Sequence, residues 1–568
     1  MGNSWEKNYV KGAPKSIQFE DITLPAALAR TAARFPDRPS LMFQGTVVTF
    51  RELEQMVSRF ASALIGMDVQ PGDRVSLLLP NLIQTAVGIY GALRAGATVV
   101  MHSPRLDNLQ MEYQLKNAGS ELVVGLDVLV PRLINLRERT RVKKIVSCHI
   151  RDYLPFLKKK LFPLVKSQLH LETPDDEGVV EFTDLTEGSL IRDQKDRPGM
   201  NDTAFILYTS GTTGKSKGVE LTHGNVSRNV QQGRSWFPTF KDGEEIVVGC
   251  LPFFHVFGLT TALNLGIFYG FGDVLVPIPE PKSVLEAIHA YKATYLPAIP
   301  GLYIGMLHDA NLKKYDLTSL KGCFSGAAPL PLETIRSFEK ITGAQICEGY
   351  GQTECSPVSH INPFGGKTKA GTIGVPLPNT EAKIVDVDDF TREITTPDEP
   401  GELCLRGPQI MKGYWNLPEE TDATIRDGWL LTGDIVTMDK EGYFTFVDRK
   451  HDMIVSRGQK IFPRDVDEVL FSHPKVLEAC TVGVRDGIKG QSVKAFVVLK
   501  KNERATAQEI IDYCKKKLPV YKVPESVDFE TELPKSLVGK IVRNDLKRRH
   551  LAKEFSNKSQ ASRQVMTR

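Results

Sequence analysis

A chain of 568 residues is longer than one hydrophobic core organises, so two or more domains around a buried interior are expected. Apolar residues make up 41% and charged residues 25%, and 72 basic against 68 acidic side chains leave a formal charge of +4. That is an ordinary globular balance and gives no basis for bulk nucleic-acid binding. The eight cysteines (Cys148, Cys250, Cys323, Cys347, Cys355, Cys404, Cys480 and Cys514) are scattered without a Cys-x-x-Cys pair. This argues against structural zinc or a disulfide framework and suits a reducing cytosol. Met1 to Gln18 lacks the apolar core of a secretory signal, so export is not expected.

From Leu24 to about Asp448, short apolar runs alternate with helical patterns, the mark of a largely parallel sheet covered by helices. Thr49 opens a capping box with Glu52, and Leu53, Met56, Val57, Phe60, Ala61, Leu64 and Ile65 follow at helical spacing. Pro71-Gly72-Asp73 ends that helix. A strand at Val75 to Leu79, a helix begun by Pro80-Asn81, and a strand at Thr98 to Met101 after Gly96 complete the unit. In 151–169, Leu154, Phe156, Leu157, Leu161, Phe162, Leu164 and Val165 interleave with Lys158, Lys159, Lys160 and Lys166. Two readings stay open there, a membrane-surface segment and a partly buried helix with a solvated lysine face, the latter favoured by Pro155 and Pro163. Ile246 to Gly272 carries no charged residue and is long enough to cross a bilayer. Pro252 and five glycines divide it into a buried strand, a loop and a core helix.

After Asp448 the elements become shorter and mixed, with helical runs at Asp465 to Phe471 and Ala507 to Leu518. The expected architecture is α/β: a large N-terminal domain, 1–448, of β-sheets layered with helices, and a small α+β C-terminal domain, 449–555. A polar tail, 556–568, ends the chain.

The strand Ala204 to Tyr208 runs into Thr209-Ser210-Gly211-Thr212-Thr213-Gly214-Lys215-Ser216-Lys217-Gly218. Glycines let backbone N–H groups approach anionic oxygens, hydroxyls donate further bonds, and lysines offset negative charge, so this reads as a phosphate cradle. Gly214-Lys215-Ser216 matches the end of a Walker loop, but Thr209 stands where that pattern needs glycine. A P-loop nucleotidase is disfavoured.

The same loop resembles the signature of the adenylate-forming superfamily of acyl-CoA synthetases, luciferases and peptide-synthetase adenylation domains. The resemblance runs from about Leu24 to Leu551. Leu251-Pro252-Phe253-Phe254-His255-Val256-Phe257-Gly258 is similar to the segment bordering the acyl pocket, which implies that His255 lies beside the carboxylate being activated. Ser325-Gly326-Ala327-Ala328-Pro329 and Glu348-Gly349-Tyr350-Gly351-Gln352-Thr353-Glu354 are similar to the adenine and α-phosphate segments. The resemblance implies Tyr350 against adenine, Thr353 on the α-phosphate, and Glu354 with Thr209 on Mg²⁺, a hard ion that prefers oxygen. By the same likeness Asp434 and Arg449 hold the ribose, His451 is the hinge of a mobile C-terminal domain, and Lys540, in Pro534 to Lys540, is the adenylation lysine.

Within the superfamily the chain most resembles bacterial long-chain fatty acyl-CoA synthetases. That likeness implies a two-step ligase: a fatty acid and ATP give an acyl-adenylate, and coenzyme A, the co-substrate, takes the acyl group. No Gly-x-Ser-x-Gly elbow competes for a covalent route. Phe253, Phe254, Phe257 and Phe268 are candidates for an apolar acyl tunnel, with a plain core role equally open. His102-Ser103-Pro104-Arg105 and Arg457 to Pro463 depart from the long-chain pattern. Medium-chain or aryl substrates, an enzyme that stops at the adenylate, and a non-catalytic binding relative therefore stay open, the last disfavoured by Glu354 and Lys540. The expected setting is cytoplasmic, with peripheral membrane contact through 151–169 and a homodimer both open.

Overall fold

Thr49 closes its capping box with Glu52: the hydroxyl accepts from the Glu52 amide at 3.2 Å, and the Glu52 carboxylate accepts from the Thr49 amide at 2.7 Å. The helix Phe50–Gly66 so begun buries Leu53, Val57, Phe60, Ala61 and Leu64, an amphipathic stripe. The structure, a computed structural model, describes residues 4–10, 12–188, 198–209, 216–486, 489–535 and 541–551. The strands Arg74–Leu78 and Thr98–Met101 lie parallel, with the helix Ile83–Arg94 between them in sequence. Each strand falls within a residue of the sequence reading.

The chain divides into two compact units. The first comprises Met1–Ala382, Leu405–Leu430 and Glu441–Tyr443; the second comprises Lys383–Cys404, Leu431–Lys440 and Phe444–Arg568. The expected boundary after Asp448 falls inside the strand Phe444–Arg449, which pairs antiparallel with the Asp434 to Met438 stretch.

Two large sheets build the first unit. One is eight-stranded, in the order Gly413–Tyr414, Lys217–Thr222, Thr203–Thr209, Thr98–Met101, Arg74–Leu78, Leu122–Leu126, Lys144–Cys148, Val179–Glu181. From Thr203–Thr209 outward to Val179–Glu181 every pairing is parallel, as strand–helix–strand crossovers require. The other is nine-stranded, with a parallel centre of Gln345–Gly351, Gly322–Ser325, Tyr295–Ala298, Ile246–Gly249, Gly272–Leu275 and Pro39–Phe43.

Ile246 to Gly272 divides as its glycines require, into the strand Ile246–Gly249, a loop, and a helical run from Val256 to Tyr269 with a π-helical stretch at Leu259–Asn264. Among the described residues no helix is long and apolar enough to cross a membrane. His102 ends the strand Thr98–Met101 as a buried, neutral residue. Its ring bonds Ser76 at 2.9 Å and Gln114 at 2.8 Å, and burial lowers its pKa to about 4.

The second unit carries a five-stranded sheet in which Gly490–Leu499 is flanked by Val476–Asp486, Ile454–Ser456 and Ser526–Phe529. The helices Pro463–Phe471 and Ala507–Lys515 close one face over Val466, Leu470, Ile510 and Cys514. This is the small α+β fold expected from the sequence. All eight cysteines are buried.

Candidate active site

The strand Thr203–Thr209 turns back on Lys217–Thr222 with Thr209 opposite Lys217, so the expected phosphate loop hangs from a fixed hairpin. Ser210, Gly211, Thr212, Thr213, Gly214 and Lys215 lie outside the described residues; Thr209 and Lys217 bound the loop. The Lys217 ammonium stands 2.5 Å from the Glu420 carboxylate and 4.9 Å from the centre of the Tyr414 ring. The Tyr414 hydroxyl donates to Glu354 Oε1 at 2.9 Å.

Backbone pairing holds this set together. Gly413–Tyr414 lies antiparallel on Lys217–Thr222, with Tyr414 opposite Val219, and the Met411 amide donates to the Glu354 carbonyl at 2.9 Å. Glu354 is thus tied to the phosphate hairpin by main chain and side chain together. Burial, then the Glu354 charge, push the Tyr414 phenol up, so it remains a donor at neutral pH. Sequence reasoning missed Tyr414 and Glu420. The local signal for Tyr414 is an aromatic pair, Tyr414-Trp415, held between Gly413 and Asn416.

The strand Gln345–Gly351 needs its glycines. A Cβ on Gly351 would lie 1.8 Å from the Pro357 carbonyl oxygen, and one on Gly349 would lie 2.4 Å from the Phe324 ring. Tyr350 is half-buried beside His360, and Thr353 is buried at the start of the short turn Thr353–Cys355. The Gln352 side-chain nitrogen is buried without a hydrogen-bond partner. Both Glu348 oxygens face backbone amides, of Leu330 and of Gly371, each at 3.0 Å. Glu348 therefore anchors the turn that carries Gly326, Ala327 and Ala328. Ala327 takes the left-handed conformation there, at φ 76°, which a small residue tolerates best.

His255 is exposed, and its Nδ1 accepts the Phe257 amide at 3.3 Å, so it is not a core histidine. The helical run after it supplies Thr260 and Leu265 to a small pocket that is also lined by Val230, Phe237, Tyr295 and Phe324. Phe253, Phe257 and Phe268 are buried and Phe254 is half-buried; the pocket wall comes from other residues than these four.

In the second unit Asp434 pairs with Arg449 across two strands, their side chains 3.8 Å apart. Lys450 reaches Glu402 at 2.6 Å, and its amide donates to the Gly433 carbonyl at 2.8 Å. His451 follows with a third of its side chain exposed and Asp452 3.6 Å away. Burial outweighs Asp452 and lowers its pKa below 6.5. Ser536, Leu537, Val538, Gly539 and Lys540 lie outside the described residues. Lys535 and Ile541 form an antiparallel bridge, and the Val542 amide donates to the Pro534 carbonyl at 2.8 Å, so the ends of this loop are pinned as well.

Two family models match the chain, the AMP-binding enzyme over residues 28–415 and the AMP-binding enzyme C-terminal domain over 465–540. The chain belongs to the AMP-binding enzyme family. Among AMP-binding enzymes it is 42% identical, over 97% of its length and 98% of theirs, to a long-chain-fatty-acid–CoA ligase of Bacillus subtilis. It is 36% identical to the ligase of the same name from Escherichia coli O157:H7, over 96% of this chain and 98% of that one. Of solved AMP-binding enzymes, ATP-bound MatB from Rhodopseudomonas palustris matches with a TM-score of 0.79 at 26% identity, covering 93% of this chain and 99% of that one.

Proposed function

We infer that the chain is a long-chain fatty acid–CoA ligase, an AMP-forming acid–thiol ligase that works through an acyl-adenylate. The observation that carries this reading is the meeting of Glu354 and Lys217 on Tyr414 at the foot of the phosphate hairpin, in a chain alike end to end with long-chain ligases.

A carboxylate attacks the α-phosphate of ATP only if the charge of both anions is offset. Lys217 and the backbone amides of the hairpin loop supply fixed positive potential on one side. Lys540, on its pinned loop, supplies a mobile positive charge for the departing pyrophosphate. The Glu354 carboxylate and the Thr209 hydroxyl are oxygen donors, a set that fits Mg²⁺. When bound, that ion would neutralise developing phosphoryl charge. His255 borders the acyl carboxylate, Tyr350 the adenine, Thr353 the α-phosphate, and Asp434 with Arg449 the ribose. The thiol step needs Lys540 withdrawn, and a rotation about His451 withdraws it.

The test is a panel of acids from acetate to oleate, with benzoate, in a coupled AMP-release assay with and without coenzyme A. Long-chain acids should give the highest kcat/KM, and AMP release should depend on coenzyme A. Preference for medium-chain or aryl acids, or release independent of coenzyme A, would replace this substrate reading.

A second role has its own observation. The helix Phe156–Val165 buries none of its residues. Phe156, Leu157, Leu161, Leu164 and Val165 are between 54% and 81% exposed, among the exposed Lys158, Lys159, Lys160 and Lys166. Apolar side chains beside a cluster of lysines complement an anionic lipid surface, and we read this helix as a peripheral membrane contact.

A further inference from the structure

The two ends of that lipid-facing segment meet on one buried carboxylate. His149 immediately precedes 150–169 and His170 immediately succeeds it. Asp127 Oδ2 accepts from His149 Nδ1 at 2.8 Å, from His170 Nδ1 at 3.0 Å and from the Leu171 amide at 2.9 Å. Asp127 is 1% exposed, His149 6% and His170 10%. The other ring nitrogen of His149 faces Glu181 at 3.2 Å and the Thr173 hydroxyl at 3.1 Å.

Neutral imidazole has one N–H, whereas imidazolium has two. With carboxylates on both ring nitrogens, only the charged ring donates to each. A neutral ring can accept from Thr173, but it then turns a lone pair towards Glu181. Asp152 also faces His149, from the adjoining turn, with Lys159 beside it, and Cys148 lies near Asp152, Glu181 and Asp127. Burial opposes charge on His149, yet Asp127 and then Glu181 outweigh it and raise its pKa. Burial likewise opposes charge on Asp127, and the bonds from His149 and Leu171 hold it below its ordinary value.

We propose that a proton on His149 is the latch of this clasp: the imidazolium, held between Asp127 and Glu181, fixes both ends of 150–169 so that its apolar and lysine side chains are presented together to anionic lipid. The lipid half rests on the membrane reading above; the latch does not. Two further bonds, Lys158 to the Gln44 carbonyl at 2.8 Å and Thr46 to the Tyr153 carbonyl at 2.6 Å, tether the middle of the segment and carry no charge change. Linkage fixes the direction of the pH effect. A histidine whose folded pKa is raised contributes its stabilisation in full below about 6.5 and loses it as pH rises through the folded value. The segment is held below about pH 6.5 and loosens as pH rises through the raised folded value.

The test measures backbone amide exchange of 150–173 in the full-length enzyme from about pH 6 to 9, corrected for intrinsic rates, with flotation on phosphatidylglycerol vesicles at low and high salt. The expected result is a loss of protection with rising pH, about tenfold for each unit by which folding raises the pKa. Glu181→Gln, at a less buried site, should move the midpoint to lower pH; His149→Gln should lower protection and remove the pH step, whereas His170→Gln should lower protection and keep the step. Protection that is flat with pH in parent and Glu181→Gln overturns the latch. Protection that instead rises with pH and is abolished by a chelator also overturns it, in favour of a bound metal ion. A pH step without flotation keeps the latch and removes the membrane reading; flotation without a pH step does the reverse.

Discussion

Arg543 donates to the Asp467 carboxylate at 2.6 Å and lies within 3.9 Å of both Asp448 and Asp452, so one guanidinium serves three buried acids. It stands two residues beyond the Lys535–Ile541 bridge that closes the lysine loop. Replacing it with Met strands those charges, which costs roughly 3–5 kcal/mol for a buried pair. Arg543→Met should therefore unfold the second unit at lower denaturant while the first keeps its transition, and Arg543→Lys should recover part of the loss. A single unchanged transition in Arg543→Met would refute this role.

Lys540→Ala should abolish exchange of labelled pyrophosphate into ATP, yet keep much of the thioester step from synthetic acyl-adenylate. The lysine is assigned to the first half-reaction only. Equal losses in both halves would remove that assignment.

Tyr414→Phe deletes the bond to Glu354 and leaves ring and backbone in place. A hydrogen bond to a charged group contributes about 1.5–3 kcal/mol, so kcat/KM for ATP should fall by about tenfold or more. Thermal stability should change little. A variant with parental kinetics would show that Glu354 is oriented by its backbone alone.

The lowered pKa of His451 makes the neutral ring dominant at pH 7. Any coupling of its charge to the balance of half-reactions then falls on the acid side of about 6.5. Single-turnover adenylation and thioester formation in the parent and His451→Gln should coincide above pH 7 and part below it, with His451→Lys resembling the parent's acid limit throughout. Three coincident profiles would make His451 a passive pivot.

Asp273 lies in the nine-stranded sheet, 1% exposed, with neither carboxylate oxygen hydrogen-bonded. Burial raises its pKa to about 8. A raised acid is uncharged in the fold and charged in the unfolded chain, so its stability is present in full below about 3.9 and is lost as pH rises through 8. The unfolding midpoint of the first unit should fall between about pH 5 and 8, and Asp273→Asn should remove much of that fall. A parallel decline in both proteins would assign it to other groups.

Local pattern carried much of this fold. The Thr49 capping box, the strands either side of Gly96, and the strand leading into Thr209 are set by neighbours a few residues apart, and spacing alone exposes them. Tyr414 was not legible, because its place comes from pairing with a strand some two hundred residues earlier, and one sequence contains no sign of that register. The Asp127, His149 and His170 cluster was hidden for the same reason: two strand ends and a returning loop bring it together. The start of the second unit was blurred by strand pairing, since the residues from Asp434 to Met438 join it through Phe444–Arg449.

The burial of all eight cysteines bears on side reactions. An enzyme that makes activated acyl groups for a thiol must keep its own thiols from intercepting them. Burial pushes Cys148, Cys250, Cys323, Cys347, Cys404, Cys480 and Cys514 up, away from the nucleophilic thiolate. Burial of the thiols opposes self-acylation, and a colorimetric thiol reagent added to the native enzyme should report coenzyme A consumption with little protein background.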